Sequence, residues 1–242
     1  MVTEPPRRIL YVFPHPDDES FGPALAIARQ RRDGHRVDLL TLTRGGATKQ
    51  RHRLGLSVAE MGRVRRGEME AVADVLGLSS LTVLDLPDGG LKHLDPREVE
   101  APIAEAVDRL APEVLVTYAV HGISGHPDHL VTHAVVKRLF CDRRGRPGAP
   151  RRLALFTLLP PSEDQPDPME LDTSRPEEIG CAVEVDDQDE ATARRALACY
   201  ETYREVIAAH DPLARIGRRV VFELFGEAFE PPLGGIEERL PA

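Results

Sequence analysis

Ile9-Leu10-Tyr11-Val12-Phe13-Pro14-His15-Pro16-Asp17-Asp18-Glu19 is the stretch on which the reading of this chain turns. Five apolar residues in succession fit a strand buried on both faces of a parallel sheet. The turn after it carries prolines, acids and a histidine where a dinucleotide-binding domain carries its glycine-rich fingerprint, which disfavours a nucleotide cofactor. Outward from this point the pattern alternates. Ala24 to Arg32 reads as a helix stopped by Asp33-Gly34, and Val37 to Leu42 as the next strand. Ser57-Val58-Ala59-Glu60 is a capping-box signature opening a helix that runs to about Leu76 before Gly77. Leu81 to Leu86, Val114 to Val120 and Leu153 to Leu159 read as strands. Asp95-Pro96 and Pro127 open the helices between them, ending near Leu110 and Phe140. Asp187 to Ala209 carries a helix, and Val220 to Phe225 a final strand.

Strand–helix alternation with short connections predicts an α/β class, a Rossmann-like doubly wound, mostly parallel sheet flanked by helices, in a single domain over 1–242. Residues 7–140 form its motif-bearing core and 141–242 a C-terminal part. Within that part, the Pro-, Asp- and Glu-rich stretch 160–178 reads as a solvated connector or as a lid beside the site. The stretch 44–56 holds Arg44, Lys49, Arg51 and Arg53, read as solvated charges or as the wall of an anionic-substrate pocket.

Composition narrows the partners. The 242 residues are 41% hydrophobic, enough for one sizeable core, and 29% charged with both signs interspersed, which argues against wholesale disorder. The apolar runs are too short for a membrane span or a signal-peptide core. With 31 basic against 40 acidic residues the net charge is −9, unsuited to a nucleic-acid partner. Cys141, Cys181 and Cys199, an odd and widely spaced set, read as reduced thiols of a cytoplasmic protein. A homo-oligomer is compatible with all of this.

A second segment matches the first in chemistry. His126-Pro127-Asp128-His129 follows the fourth strand and a loop from Gly122 to Gly125. Open α/β sheets bind ligands outside the carboxyl ends of the strands, where the strand order reverses. In the common order 3-2-1-4-5 that crevice lies between strands one and four, so the two segments would face each other. Two neutral imidazoles and one carboxylate suit Zn²⁺ with a fourth position for water, and Fe²⁺ or another divalent ion is open to the same donors. Pro127 suits the first helical position, placing His126 at the N-cap and His129 in the first turn, where the helix dipole keeps an imidazole neutral. The two segments offer more donors than one ion needs, leaving groups for proton transfer. Taken singly, each residue has a plainer reading: a histidine after a strand is ordinarily solvated, and an acid at a strand end caps the next helix. Taken together, two such clusters at switch-point strand ends are poorly explained that way. His133, one turn beyond His129, reads as structural though within reach of a metal, and His121 in the loop is undecided. His35, His52, His93 and His210 read as surface or core residues.

Pro14-His15-Pro16-Asp17-Asp18-Glu19 with Gly125-His126-Pro127-Asp128-His129 resembles the LmbE-like (PIG-L) zinc-dependent deacetylases, which act on N-acetylglucosaminyl groups. The resemblance implies an enzyme, a zinc-dependent hydrolase removing an acetyl group from a small-molecule N-acetylated amino sugar. It implies zinc ligation by His15, Asp18 and His129, with Asp17 as general base. It further implies His126 as the group that stabilises the oxyanion, its ring held by Asp128. Arg65 and Glu68 fall at the family's Arg-x-x-Glu positions on a helix whose apolar face includes Met61, Val64 and Val72. There Arg65 is expected to contact substrate, an exposed Arg65–Glu68 ion pair being the plainer reading. Asp88 is expected to bind sugar hydroxyls or to form the turn before Gly89-Gly90. Three departures touch substrate recognition. The family's Thr-x-Gly-Glu is Thr43-Arg44-Gly45-Gly46, an aromatic before the second motif is Ser124, and a late His-x-Ser-Gln pattern is Tyr200-Glu201-Thr202-Tyr203. Two other readings compete: a non-haem iron oxygenase with a facial triad, which the alternating α/β pattern does not favour, and a metal-keeping carbohydrate-binding relative without turnover.

Overall fold

The computed structural model describes residues 6–161 and 170–241. Residues 162–169, the middle of the 160–178 stretch, lie outside the described residues. In chain order the elements are β1 (Arg8–Phe13), α1 (Asp18–Phe21), α2 (Ala24–Arg32), β2 (Arg36–Thr43), α3 (Gln50–Arg53), α4 (Val58–Leu76), β3 (Ser80–Leu86) and α5 (Pro96–Leu110). They continue with β4 (Val114–Tyr118), α6 (Pro127–Arg143), β5 (Arg152–Thr157), β6 (Cys181–Glu184), α7 (Asp187–Leu197), α8 (Arg204–His210), α9 (Pro212–Ile216) and β7 (Arg219–Leu224).

One seven-stranded sheet runs in the order β3-β2-β1-β4-β5-β7-β6. The pairs β1–β2, β2–β3, β1–β4 and β4–β5 are parallel, which is the expected 3-2-1-4-5 order. β7 then pairs antiparallel with both β5 and β6. Side chains of β1 alternate between two cores. Ile9, Tyr11 and Phe13 join Leu25, Ile27, Met69 and Val72 from α2 and α4 on one face. Leu10 and Val12 join Ile103, Val107, Val136 and Leu139 from α5 and α6 on the other. Burial on both faces is what an uninterrupted apolar strand signals.

The capping signals are realised. Ser57 and Glu60 close a capping box at α4, and Gly77 ends that helix in the left-handed conformation its missing Cβ permits. His126 caps α6 with Pro127 at its first position. Val64, expected on the apolar face of α4, is exposed instead, while Met61 and Val72 are fully buried. The expected Asp187–Ala209 helix is broken into α7, a 3-10 turn over Glu201–Tyr203 and α8. β6 escaped the sequence reading because four residues carry too little periodicity.

Candidate active site

The site forms where the sheet reverses its winding, between the carboxyl ends of β1 and β4. Pro14 to Asp18 leaves β1, and His126 to His129 opens α6 directly after β4. The two segments bring three rings together: His15 and His126 meet edge-on at 4.8 Å between centroids, and His15 and His129 at 5.3 Å. Ligand atoms of His15, His126 and His129 lie within 4.8 Å of one another, as do those of His15, Asp88 and Asp128.

Hydrogen bonds fix how each ring is presented. His129 Nδ1 faces the Gly122 carbonyl at 2.9 Å. A carbonyl only accepts, so Nδ1 carries the proton and Nε2 turns its lone pair to Asp18 Oδ1, 3.3 Å away. His15 Nε2 faces carboxylate oxygens of Asp128 at 3.2 Å and Asp88 at 3.3 Å, and therefore donates. Its Nδ1 then faces Asp18 Oδ2 at 3.6 Å. Asp18 is held in turn by Tyr118 Oη and by the His15 backbone N–H, both donating at 2.8 Å. Tyr118 also stacks on the His129 ring at 4.3 Å. His15 Nδ1 and His129 Nε2 thus converge on one buried carboxylate, where a divalent cation can take the place of the protons that would otherwise bridge them. Backbone carbonyl and carboxylate partners on the far nitrogens are the usual support of histidine ligands. The donor set therefore fits a divalent metal.

The charges agree. Burial works against a charged His15, but the Asp128 and Asp18 carboxylates outweigh it and lift the ring to about 10. Burial would raise Asp18, yet His129 and His15 hold it well below the ordinary carboxylate range. His126 is lowered by burial and by the neighbouring His15 and His129, so it stays neutral. Its Nδ1 accepts the Asp128 backbone N–H at 3.2 Å, which leaves Nε2–H as a donor. The resemblance implied that the Asp128 carboxylate holds this ring, and it does not. It instead accepts N–H bonds from Gly89 at 2.8 Å and Leu91 at 3.1 Å and supports His15.

Asp17 precedes α1 at φ 86°, a left-handed conformation unusual outside glycine. Arg65 Nη2 bonds its Oδ2 at 2.5 Å and the Pro16 carbonyl at 2.6 Å, while Nη1 reaches the Gly45 carbonyl at 3.1 Å. Burial raises Asp17 to about 6 against the pull of Arg65. The exposed Arg65–Glu68 pair does not form. Arg65 is 2% exposed, and Glu68 accepts instead from the N–H and hydroxyl of Thr202. Asp88 takes the Ala47 N–H at 2.6 Å and faces His15. Arg65 and Asp88 both line the cleft.

Sequence reasoning missed three tyrosines. Tyr118 secures Asp18. Tyr200 Oη accepts from the Asp17 N–H at 2.8 Å and donates to Glu19 at 2.7 Å. Tyr203 lies under the Arg65 guanidinium, 4.5 Å from its ring centroid. The last two arrive from the segment read as a degraded motif. His133 donates Nδ1–H to the Tyr118 carbonyl at 2.8 Å and is structural. His121 sits among Thr157 and Ser174, whose hydroxyls lie 3.2 and 3.3 Å from its Nε2. His210 proves to line the cleft. In the 44–56 stretch, Arg44 pairs with Asp85 and Arg53 with Glu205, while Lys49 lines the cleft. The 160–178 stretch reaches the site through Leu171, and Asp172 donates its N–H to the Ile123 carbonyl at 2.7 Å.

Fold and site together define an α/β protein with a histidine–carboxylate cluster at its switch point that could hold a metal ion. The family model described as PIG-L, GlcNAc-PI de-N-acetylase, matches residues 10–140, and the chain belongs to that family. It is 36% identical over 160 residues to a 1D-myo-inositol 2-acetamido-2-deoxy-alpha-D-glucopyranoside deacetylase of Kineococcus radiotolerans, covering 55% of this chain and 44% of that protein. A protein of the same description from Mycobacteroides abscessus is 30% identical over 217 residues, 76% of this chain and 77% of its own length. The chain spans about half the length of the curated relatives it matches first, from 44% to 57%. Among solved structures, the zinc-inhibited form of teicoplanin deacetylase shares the fold with a TM-score of 0.69, at 17% identity over 90% of this chain and 97% of that one. No helix among the described residues is long and apolar enough to cross a membrane.

Proposed function

We propose that this protein is a zinc-dependent amide hydrolase that removes the acetyl group from an N-acetylated amino sugar. His15, Asp18 and His129 are the residues to hold the ion. The convergence of His15 Nδ1 and His129 Nε2 on the Asp18 carboxylate carries the reading. Zinc bound there supplies a Lewis acid for the amide carbonyl and brings the pKa of water down to about 7. Asp17, braced by Arg65, accepts the proton that the attacking water gives up. His126 offers Nε2–H to the carbonyl oxygen as charge develops on it. The new C–O bond forms, the C–N bond breaks, and the nitrogen leaves with a proton as the amine, releasing acetate. An acid next to the attacked carbonyl is what a binding-only relative has no use for. We place the protein in the cytoplasm, where its three unpaired thiols are at home.

The test is metal content of the purified protein together with primary-amine release from N-acetylglucosaminides. Zinc near one equivalent and amine release that Asp17→Ala abolishes support the reading. Bound metal with identical wild-type and Asp17→Ala behaviour overturns it.

A further inference from the structure

The cleft is larger and more apolar than the chemistry at its metal end needs. It encloses about 580 Å³, within the range of pockets that take a drug-sized ligand, and a single N-acetylated hexose fills only part of it. One end is the polar cluster already described. The other is a wing lined by Phe21, Ile123, Phe156, Leu158, Leu171 and Ile216, all of which belong to or pack against the same apolar core. The relatives' names specify an inositol glycoside. A polyol laid against these six side chains would lose its water without return, because buried hydroxyls need hydrogen bonds that apolar walls do not supply; the polar side chains of Lys49, His210 and Arg215 line other parts of the cleft. The polar groups nearest the sugar end are also committed: Arg65 to Asp17, Pro16 and Gly45, and Asp88 to Ala47 and His15.

Ile123 supplies an independent observation. It stands at φ 60°, a left-handed conformation that a β-branched residue adopts only under strain. The conformation is enforced from both sides, since its N–H donates to His121 Nδ1 at 3.0 Å and its carbonyl accepts from Asp172 at 2.7 Å. Asparagine or glycine would sit there more easily. What isoleucine adds is apolar surface facing the cleft.

We propose that the natural substrate carries an apolar group on its amino sugar, an aryl or alkyl aglycone or a longer acyl chain, and that this group occupies the wing. The proposal rests on the amino-sugar reading above and names its substrate class.

The experiment compares four N-acylated glucosamines: the methyl, octyl and myo-inositol glycosides of the N-acetyl sugar, and the methyl glycoside bearing N-octanoyl. Binding to the protein is measured by calorimetry with and without zinc, and amine release alongside it. The octyl glycoside or the N-octanoyl sugar should bind about tenfold or more tightly than the inositol glycoside. Whichever of the two wins identifies the aglycone or the acyl group as the source. Ile123→Asn should keep its unfolding midpoint near wild type, since relief of strain offsets lost burial, yet bring that ratio close to one. Leu171→Asn, on a half-buried side chain, should do the same. Equal or tighter binding of the inositol glycoside overturns the proposal while leaving deacetylation intact. Preferential binding of the octyl sugar without amine release from any compound overturns the deacetylase reading and leaves the apolar wing standing.

Discussion

Arg65 Nη2 lies 2.5 Å from Asp17 Oδ2 and 2.6 Å from the carbonyl of Pro16, so one guanidinium grips the side chain of a left-handed residue and the backbone just before it. Both partners are buried, and removing one leaves the other charge uncompensated. Arg65→Met should therefore cost roughly 3–5 kcal/mol of stability, read as a lower urea midpoint. Arg65→Lys keeps the charge without the fork and should recover only part of the loss.

Asp17→Asn should separate the metal from the chemistry. The ring nitrogens of His15 and His129 converge on Asp18, while the Asp17 carboxylate is held by Arg65. We expect zinc content near wild type and amine release lower by about 10²–10⁴-fold. Loss of zinc from this variant would show that Asp17 is itself a ligand.

Tyr200→Phe deletes one hydroxyl that serves two buried partners, the Asp17 N–H and Glu19. It should destabilise by about 1–3 kcal/mol. Turnover should fall with it, because Asp17 loses the contact that fixes its backbone. Unchanged kcat at unchanged stability would refute a bracing role.

Far from the cleft, Glu237 gives a pH signature. Burial first, then the nearby Glu238 and Asp33 charges, raise it to about 7 against the pull of its own backbone N–H and Arg152, from an ordinary value of 4.5. The folded state then holds a proton that the unfolded state has released. Stability from this group is full below pH 4.5 and declines as pH rises to about 7, by on the order of 3 kcal/mol in all. Glu237→Gln should remove that decline, so urea midpoints at pH 5 and pH 8 should differ less in the variant than in wild type.

Chelation should lower the thermal midpoint, and added zinc should restore it, the gain rising with the logarithm of free zinc once the site is filled. His129→Ala should abolish the response, since it removes the ring whose lone pair faces Asp18.

The parallel half of the molecule was legible because its signals are local. β1 is a run of buried apolar residues, α4 announces its start with Ser57 and Glu60, and Pro127 marks the first position of α6. The facing of His15 and His129 followed from the strand order. Roles set by three-dimensional hydrogen bonding were not legible. Asp128 looks in sequence like the partner of His126, two positions away, but its carboxylate turns to His15, 113 residues earlier. Arg65 and Glu68 look like a helical pair at three-residue spacing, yet each bonds a different segment of the chain. Tyr200 stands 183 residues from Asp17, a separation at which no spacing rule speaks.

The family model matches residues 10–140, while Tyr200, Tyr203, Leu171 and Ile216 all come from beyond it. The histidine–carboxylate cluster thus comes wholly from the earlier stretch, whereas the walls of the cleft are shared between the two. Drift in the later stretch can retune what is admitted without rebuilding the reactive pole, within one limit. Because Tyr200 and Thr202 also brace Asp17 and Glu68, a graft of this stretch from a distant relative must bring those two contacts with it or inactivate the chimera.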